Sequence, residues 1–211
     1  MKEEIKFYAD SILNETIRCW RQWLINERRY SEHTADAYAR DLSFFNAFFA
    51  ARSDICPDGA VTLGTLATLD IRAFRAFIGE RSRKNLEKSS IARELSSIRN
   101  FFRWLSRHNL VKNPAVSILS SPRKAKVLPK AIGVDETLDL IDQAAEVEHE
   151  NWQNLRDKAV FSLLYGCGLR ISEALGLNLE DFQQTTLLRI RGKGNKERMV
   201  PLLPVVTRRI Q

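Results

Sequence analysis

Residue types that often carry chemistry are scarce in this sequence. Its three cysteines are widely spaced and odd in number, which argues against a disulfide framework and favours a reducing compartment. Its three histidines show no metal-ligand spacing with one another or with cysteine. We therefore expect no metal centre and no bound cofactor.

Long apolar runs and chain breakers are also scarce. No apolar stretch approaches the roughly 20 residues that a membrane-spanning helix needs, and the N-terminal stretch MKEEIKFYADSI lacks an apolar signal core. Glycine and proline together contribute only 15 of 211 residues, and 44% of residues are hydrophobic, which excludes fibrous and disordered classes. We expect a cytoplasmic protein with one large or two small folded domains.

Positive charge is plentiful and unevenly distributed. The net charge is +7 and the isoelectric point is about 9.5. Residues 75–130 contain 14 lysines and arginines against three acids, whereas residues 131–160 contain eight acids against two bases. A block this basic beside an acidic one indicates a face for a polyanion such as nucleic acid.

The first 120 residues have the periodicity of four amphipathic helices. The first is predicted over Ile12–Arg28, the second after Ser31 as N-cap, the third over Leu69–Arg81, and the fourth from Ser89 or Ser90. The Pro- and Gly-containing stretch 54–67 is predicted to be a loop. Apolar residues of the fourth helix recur at steps of three and four, while arginines spaced by four form a basic stripe beside them: Arg99, Arg103 and Arg107. These features favour a small helical DNA-binding domain over residues 1–120.

The rest of the chain changes character twice. Residues 121–131, with two prolines and four bases, are predicted to be an extended basic linker. Residues 132–211 begin with helices over Val134–Ala145 and over the apolar, buried stretch Leu155–Tyr165. They end in a β-hairpin with strands Leu187–Arg191 and Arg198–Leu202. The predicted fold class is therefore mainly α with a small β-hairpin.

The stretch YGCGLRISEALGL places Arg170 three residues before Glu173 near a predicted helix start. One interpretation is an ordinary i,i+3 ion pair, which contributes little on a surface. The other is functional. Gly166 and Gly168 allow a tight turn, the helix N-terminus favours anions, and the arginine offers a planar fork that matches two phosphate oxygens. Glu173 then orients the arginine.

The hairpin tip RGKGNKER brackets Lys193 between Gly192 and Gly194. Such a charged turn is usually only solvated, but four bases in eight residues also suit a nucleic-acid groove or backbone. A lysine can act as a general acid in a phosphate-rich site.

The candidate DNA contacts are basic and small polar residues. For each of them alone, the alternative interpretation is an ordinary solvated surface side chain. They are His33, Thr34, Arg40, Ser90, Arg93, Ser97, Arg99 and Arg103 on the second and fourth helices, Arg123, Lys124 and Lys126 in the linker, and Lys196 and Arg198 in the hairpin.

Taken together and in this order, GCGLRISEALGL and RIRGKGNKERMVPL resemble the first part of the catalytic domain of tyrosine recombinases, the phage integrase family. YSEHTADAYARDLSFFNAFF and LSSIRNFFRWLSRHNLVKNPA resemble the SAM-like, core-binding domain of that family, and SPRKAKVLPKAI resembles its interdomain linker. The bacterial Xer chromosome-dimer resolvases are the most similar members, the XerC type more than the XerD type.

The resemblance implies a reaction without metal or nucleotide. A tyrosine attacks a DNA phosphodiester to give a 3′-phosphotyrosyl bond and a free 5′-hydroxyl, which then rejoins a partner strand. Arg170 matches the first catalytic arginine of the family, Glu173 its supporting acid and Lys193 its hairpin lysine, with Lys196 as a rival for that role. The implied partners are double-stranded DNA at a dif-like site, a second Xer recombinase in a heterotetramer, and the DNA translocase of the division septum.

The family also needs a His-x-x-Arg pair, a further His or Trp, and the nucleophilic tyrosine, all after the hairpin. No histidine follows His149, and the last tyrosine is Tyr165. Tyr38 and Tyr165 lie in apolar patterns typical of core residues, and neither they nor Tyr8 or Tyr30 match the nucleophile. We therefore expect a C-terminally truncated fragment that binds DNA, does not cleave it and is monomeric off DNA.

Three other interpretations remain open at this point. The chain could come from a phage or transposon integrase, although it has no extra arm-binding domain before its first helix. It could be a non-catalytic DNA-binding protein of the same fold. It could also be a helical protein-interaction module whose basic stripe serves only solubility, in which case binding would be insensitive to salt.

Overall fold

The computed structural model describes residues 5–120, 132–143, 152–182, 186–192 and 196–210. The chain divides into two compact units, Met1–Lys126 and Val127–Gln211, which are described separately. Unit 1 consists, in its described part, of six helices: α1 Ser11–Asn26, α2 Glu32–Ala50, α3 Leu63–Thr68, α4 Ile71–Arg83, α5 Lys88–Arg107 and α6 Ala115–Ile118.

Side-chain caps set the starts of three long helices of unit 1, α1, α2 and α4, whereas α5 starts without one. Asp10 accepts the backbone N–H of Leu13 at 2.7 Å before α1, and Asp70 accepts that of Ala73 at 2.8 Å before α4. Ser31 caps α2, as its position before the apolar repeat predicts. Such caps satisfy backbone donors that have no partner inside the helix.

The core of unit 1 is aromatic. Phe45 on α2 lies at the centre, with its ring centroid 5.8 Å from that of Phe74, 5.3 Å from that of Phe77 and 6.2 Å from that of Phe102. Trp20 of α1 is fully buried and donates its indole N–H to Asn100 at 3.0 Å. The four predicted amphipathic helices are thus present as α1, α2, α4 and α5 around one core.

The predicted loop over residues 54–67 is wrong at its end, because α3 occupies Leu63–Thr68. Thr62 and Thr65 satisfy each other's backbone N–H groups at 3.0 and 3.3 Å, a reciprocal cap that a Thr-x-x-Thr pattern can signal. Gly64 lies inside this helix, where the sequence interpretation took it as a breaker.

Unit 2 combines short helices with one hairpin. Its described elements are α7 Val134–Gln143, α8 Trp152–Cys167, α9 Ile171–Ala174, a 3-10 turn Leu179–Phe182, β1 Leu187–Arg191, β2 Glu197–Pro201 and α10 Pro204–Ile210. The strands pair antiparallel from Leu187 opposite Pro201 to Arg191 opposite Glu197. The mainly α fold with a small hairpin is confirmed, and none of the described helices is both long and apolar enough to cross a bilayer.

The prediction that Leu155–Tyr165 is buried is wrong. Within α8 only Ser162 and Leu163 are buried, while Phe161 is 46% and Tyr165 47% exposed. This helix carries apolar side chains that the described residues of unit 2 leave exposed, among them Trp152 and Leu155. Tyr165 instead lines an apolar pocket between α7 and α8, together with Ile141 and Phe161.

Two glycines predicted to act alike have different roles. Gly168 has a φ of 61° and makes the turn that precedes α9. Gly166 lies within α8, where a Cβ would come within 2.3 Å of the Val206 Cγ2 atom of α10. This glycine allows α10, a helix that the sequence interpretation did not foresee, to pack closely on α8.

Candidate functional site

Glu173, on α9, is the centre of a three-residue cluster with Arg170 and Arg198, here called the Glu173 cluster. Its Oε1 accepts from Nη1 of Arg170 at 2.9 Å and from Nη1 of Arg198 at 2.8 Å. Its Oε2 accepts the backbone N–H of Arg170 at 2.8 Å and Nη2 of Arg198 at 2.8 Å. A carboxylate offers about four lone-pair positions, so its accepting capacity is filled.

This environment favours the ionised acid. The Glu173 side chain is 4% exposed, and its pKa is held well below the ordinary value, first by the hydrogen bonds from Arg198 and then by the backbone N–H of Arg170. Burial opposes this shift but is outweighed. The carboxylate therefore stays charged at neutral pH and holds both guanidinium groups in place.

Arg170 is presented to solvent by this arrangement. Its side chain is 68% exposed although its Nη1 is fixed by Glu173. A guanidinium has five N–H donors, so most of them face outward for an anion. The predicted help from a helix N-terminus is wrong, because α9 is a single turn of four residues with little macrodipole.

Arg198 is the functional partner that the sequence interpretation missed. It was predicted as a DNA contact, but its side chain is directed at both oxygens of Glu173. The register places it opposite Ile190, which is buried, so both side chains lie on the same face of the hairpin. An arginine on the inward face of a strand needs an acidic partner to balance its charge. The position of Arg198 in the strand alternation was therefore the sequence signal for its pairing with an acid.

Gly192 brings the hairpin close to the Glu173 cluster. A Cβ at this position would lie 3.3 Å from Glu173 Oε1 and 3.4 Å from Arg198 Nη1. Its backbone N–H donates to the Lys196 carbonyl at 2.8 Å, which closes the turn. Lys193, the predicted general acid, lies outside the described residues, while Lys196 is exposed.

The predicted DNA contacts of unit 1 fall into separate places. Arg99 and Arg103 line one groove with Arg107 and Lys112, so the basic stripe of α5 is present as a surface. His33 and Arg40 line a second groove, along α1 and α2. The predicted contacts in the linker, Arg123, Lys124 and Lys126, lie outside the described residues.

The serine and threonine candidates of unit 1 differ in their burial and in their hydrogen bonds within the protein. Ser97 is fully buried and donates to the Glu94 carbonyl at 2.8 Å, so its predicted role as a surface contact is wrong. Its exposed neighbour Ser96 lies on the solvent side of α5, where counting 100° per residue from Arg103 places it. Thr34 shares a hydrogen bond with the Ser31 hydroxyl at 2.9 Å, and Ser90 is partly exposed.

The tyrosines are engaged elsewhere. Tyr30 and Tyr38 pack edge to face, with ring centroids 5.9 Å apart, against the core of unit 1. Tyr8 is 41% exposed with the Lys6 ammonium over its ring. The prediction that Tyr165 is a core residue is wrong, as its exposure on α8 shows.

What the Glu173 cluster can do follows from its charge. Two guanidinium groups and one buried carboxylate leave a net positive site whose exposed part is the Arg170 fork. Preorganised donors of this kind stabilise charge that develops on oxyanions. In the part of the chain that the structure describes, no group of three or more histidine, cysteine or acidic residues is placed to hold a metal ion.

Comparison with known proteins places both units in one group. The family model described as "Phage integrase, N-terminal SAM-like domain" matches residues 17–109, and the model described as "Phage integrase family" matches residues 131–211. The chain is 42% identical over 193 residues to the tyrosine recombinase XerC of Rhodospirillum centenum, covering 91% of this chain and 55% of that protein. It is 38% identical over 196 residues to XerC of Rickettsia prowazekii, covering 93% and 63%. The chain thus spans less than two thirds of the length of these relatives.

Solved structures share the fold at low sequence identity. A lambda integrase tetramer bound to a Holliday junction has a TM-score of 0.64 at 15% identity, covering 90% of this chain and 50% of that one. The XerH site-specific recombinase in a pre-cleavage complex with its difH substrate has a TM-score of 0.63 at 16% identity, covering 99% and 68%.

Proposed function

Because this chain belongs to the phage integrase family and is XerC-like, we propose that it provides the DNA-binding part and the first catalytic groups of a site-specific tyrosine recombinase. The Glu173 cluster is the observation that supports this proposal most strongly. Its exposed, fixed arginine is the group that phosphodiester attack requires, since that transition state places extra negative charge on the nonbridging oxygens.

The roles divide among few residues. Arg170 binds the scissile phosphate through its outward donors, and Glu173 and Arg198 keep it oriented. Lys193 delivers a proton to the leaving 5′-oxygen as the 3′-phosphotyrosyl bond forms. Gly192 allows the backbone next to this lysine to approach the cluster, where a larger residue would meet Glu173 Oε1 at 3.3 Å.

DNA binding is assigned to unit 1 and its basic linker. Arg103, Arg107 and Lys112 line one groove without an acid among its lining residues, and such a surface suits a phosphate backbone. Association is then expected to weaken steeply with salt, roughly one counterion per neutralised phosphate. Salt-insensitive binding would instead support a protein-interaction module.

The biological setting extends the proposal further. The XerC-like sequence supports a cytoplasmic enzyme that resolves chromosome dimers at a dif-like site during cell division. In that setting it works with a second Xer recombinase in a heterotetramer on DNA, under a DNA translocase of the division septum. A phage or transposon integrase is the alternative setting for the same chemistry.

For the 211-residue chain itself we propose binding without cleavage. Tyr30 and Tyr38 pack against the core of unit 1, and neither Tyr8 nor Tyr165 belongs to the Glu173 cluster. The test is incubation with a nicked suicide duplex, followed by denaturing electrophoresis for covalent protein–DNA adducts. We expect a salt-sensitive complex and no adduct, and a phosphotyrosyl adduct would overturn this assignment.

The alternative of a non-catalytic DNA-binding protein is tested in the longer recombinase that we propose contains this chain. Arg170→Ala and Lys193→Ala in that protein are expected to abolish recombination while leaving DNA binding intact. Full recombination activity in both variants would favour an architectural DNA-binding protein.

A further inference from the structure

Arg93, on α5, is held by a buried carboxylate on α2. Its Nη1 lies 2.8 Å from Asp41 Oδ2, and the side chains are 48% and 1% exposed, respectively. The other oxygen, Asp41 Oδ1, has no hydrogen-bond partner among the described residues, and the Ser97 hydroxyl is the further polar group that lowers the pKa of this acid. A buried carboxylate with a single charged partner and an unsatisfied oxygen is costly for the fold.

The neighbouring acid on α5 shows how a buried carboxylate can join that helix to a different one, α4, with both of its oxygens satisfied. Glu94 accepts from Arg81 Nε at 2.9 Å on one oxygen and from Arg81 Nη2 on the other, and both side chains are nearly buried. This bidentate pair already connects α4 to α5. Burial raises the pKa of Asp41 to about 6, with the nearby Glu94 adding to the rise and Arg93 opposing it. The Asp41–Arg93 pair joins α2 to α5 with fewer hydrogen bonds and leaves Arg93 half exposed, an arrangement that calls for a reason beyond holding α5 in place.

The reason we infer lies on the outer edge of Arg93. One of its five N–H donors is used by Asp41, and the rest of the fork lies on the exposed side of α5, which also presents Ser96 and Arg103. A guanidinium fixed at its inner edge has a defined plane. Bidentate recognition of guanine O6 and N7 requires such a plane, and the major groove of DNA admits a helix.

We propose that Arg93, positioned by Asp41, is a specificity-determining residue that contacts a guanine in the major groove. This inference rests on the proposed function, because it assumes that the α2–α5 side of unit 1 binds DNA. Asp41 also neutralises the charge of Arg93. The pair therefore contributes orientation and sequence discrimination rather than net attraction to phosphate.

The experiment uses the 211-residue chain and two duplexes of equal length. One is selected from a random library by the wild-type chain, and the other is a fixed duplex of random sequence. Affinity for each is measured by fluorescence anisotropy at constant salt. The preferred duplex is also remade with each guanine replaced in turn, which identifies the position that Arg93 reads.

Asp41→Asn removes the orienting charge and adds one net positive charge. We expect it to bind the random duplex as tightly as wild type or tighter, while discrimination at one guanine falls by about tenfold. Arg93→Lys keeps the charge but loses the planar fork, so the same discrimination is expected to fall. The matched control is Asp54→Asn, an exposed acid paired with Arg52, which changes net charge equally and is expected to leave the ratio unchanged.

The outcomes distinguish failure of the specificity role of Arg93 from failure of the proposed DNA-binding function. Equal weakening on both duplexes in Asp41→Asn would indicate a structural role only and would overturn the inference. Unchanged discrimination in both Asp41→Asn and Arg93→Lys would overturn it as well. Absence of binding to any duplex by the wild-type chain would overturn the proposed function itself.

Discussion

Asp41 in unit 1 and Glu173 in unit 2 are both carboxylates buried against an arginine, and their surroundings shift their pKa values in opposite directions. Glu173 in unit 2 accepts four hydrogen bonds and its pKa is lowered. Asp41 in unit 1 accepts a hydrogen bond from Arg93, and burial raises its pKa to about 6 although Arg93 and Ser97 oppose the rise. Burial acts upward on the pKa of both acids, and only around Glu173 do the hydrogen bonds outweigh it. A carboxylate whose hydrogen-bonding positions are all filled, such as Glu173, holds its partners rigidly. A buried carboxylate with an unfilled position, such as Asp41, destabilises the fold, so a role other than stability is expected for it.

The largest expected effect tests whether the Glu173 cluster serves chemistry and the Asp41–Arg93 pair serves binding. In the longer recombinase, Arg170→Ala is expected to slow covalent adduct formation by about 10²–10³-fold even at saturating DNA, because one preorganised donor is lost from the transition state. Arg93→Ala is expected to weaken binding but to recover its rate once DNA saturates. Single-turnover kinetics on a suicide duplex measure both. A rate defect for Arg93→Ala that persists at saturating DNA would show that Arg93 also serves the chemical step.

The second prediction replaces each acid by its amide. Glu173→Gln turns one acceptor oxygen into a donor facing guanidinium groups, so opening of the hairpin is expected to rise by about tenfold or more. Asp41→Asn removes a partly unsatisfied buried charge, so amide protection in α2 is expected to stay the same or rise. Native-state hydrogen exchange resolved by segment provides the measurement. Equal loss of protection at both sites would show that the two acids play the same structural role.

The third prediction concerns pH. The folded pKa of Asp41, about 6, exceeds its unfolded value of 3.8, so the folded state binds more protons between these values. The unfolding free energy of unit 1 should therefore fall as pH rises from about 4 to 6, by up to about 3 kcal/mol. Glu173 has the opposite sign, since its stabilisation is present above its unfolded pKa and is lost only in strong acid.

Urea unfolding followed by tryptophan fluorescence measures the pH effect, because Trp20, Trp23 and Trp104 all lie in unit 1. The control is Asp41→Asn, in which this slope between pH 4 and 6 should be flat. An identical slope in wild type and variant would assign the pH dependence to other groups.

The smallest expected effect comes from a single methyl group. Gly192→Ala places a Cβ 3.3 Å from Glu173 Oε1, so the hairpin should shift by a few tenths of an ångström and the longer recombinase should slow by a few-fold. Gly79→Ala in α4 meets nothing within 4 Å and is the matched control, expected to add up to about 1 kcal/mol of stability. A normal rate for Gly192→Ala would mean that the hairpin tolerates displacement from the cluster.

Most of the fold was predictable because its signals are local. Apolar residues at steps of three and four identified α1, α2, α4 and α5, and the alternation of β1 identified the hairpin. The short helix α3 was missed because Gly64 concealed a cap made by two threonines. The exposure of α8 was also missed, since the periodicity of Leu155–Tyr165 indicates an apolar helix but not how much of it the described fold covers.

The candidate site was predictable only where its residues are close in sequence. Arg170 and Glu173 are three positions apart, so their pairing follows from helical spacing. Arg198 joins Glu173 from 25 residues away through strand register, and Arg93 reaches Asp41 across 52 residues. Such pairs depend on tertiary packing, which a single sequence does not display. The choice of Ser97 as a surface residue was wrong for a different reason, because counting 100° per residue from Arg103 already places Ser96 and not Ser97 on the solvent side of α5.

We propose that Arg170, held by Glu173, stabilises negative charge on the scissile phosphate. The most direct test of this proposal compares Arg170→Ala with wild type, both in the longer recombinase, on a normal suicide duplex and on one whose scissile phosphate is a neutral methylphosphonate. The defect of Arg170→Ala is expected to shrink by at least about tenfold on the neutral substrate, because the charge that the arginine stabilises is gone. A defect of the same size on both substrates would contradict it.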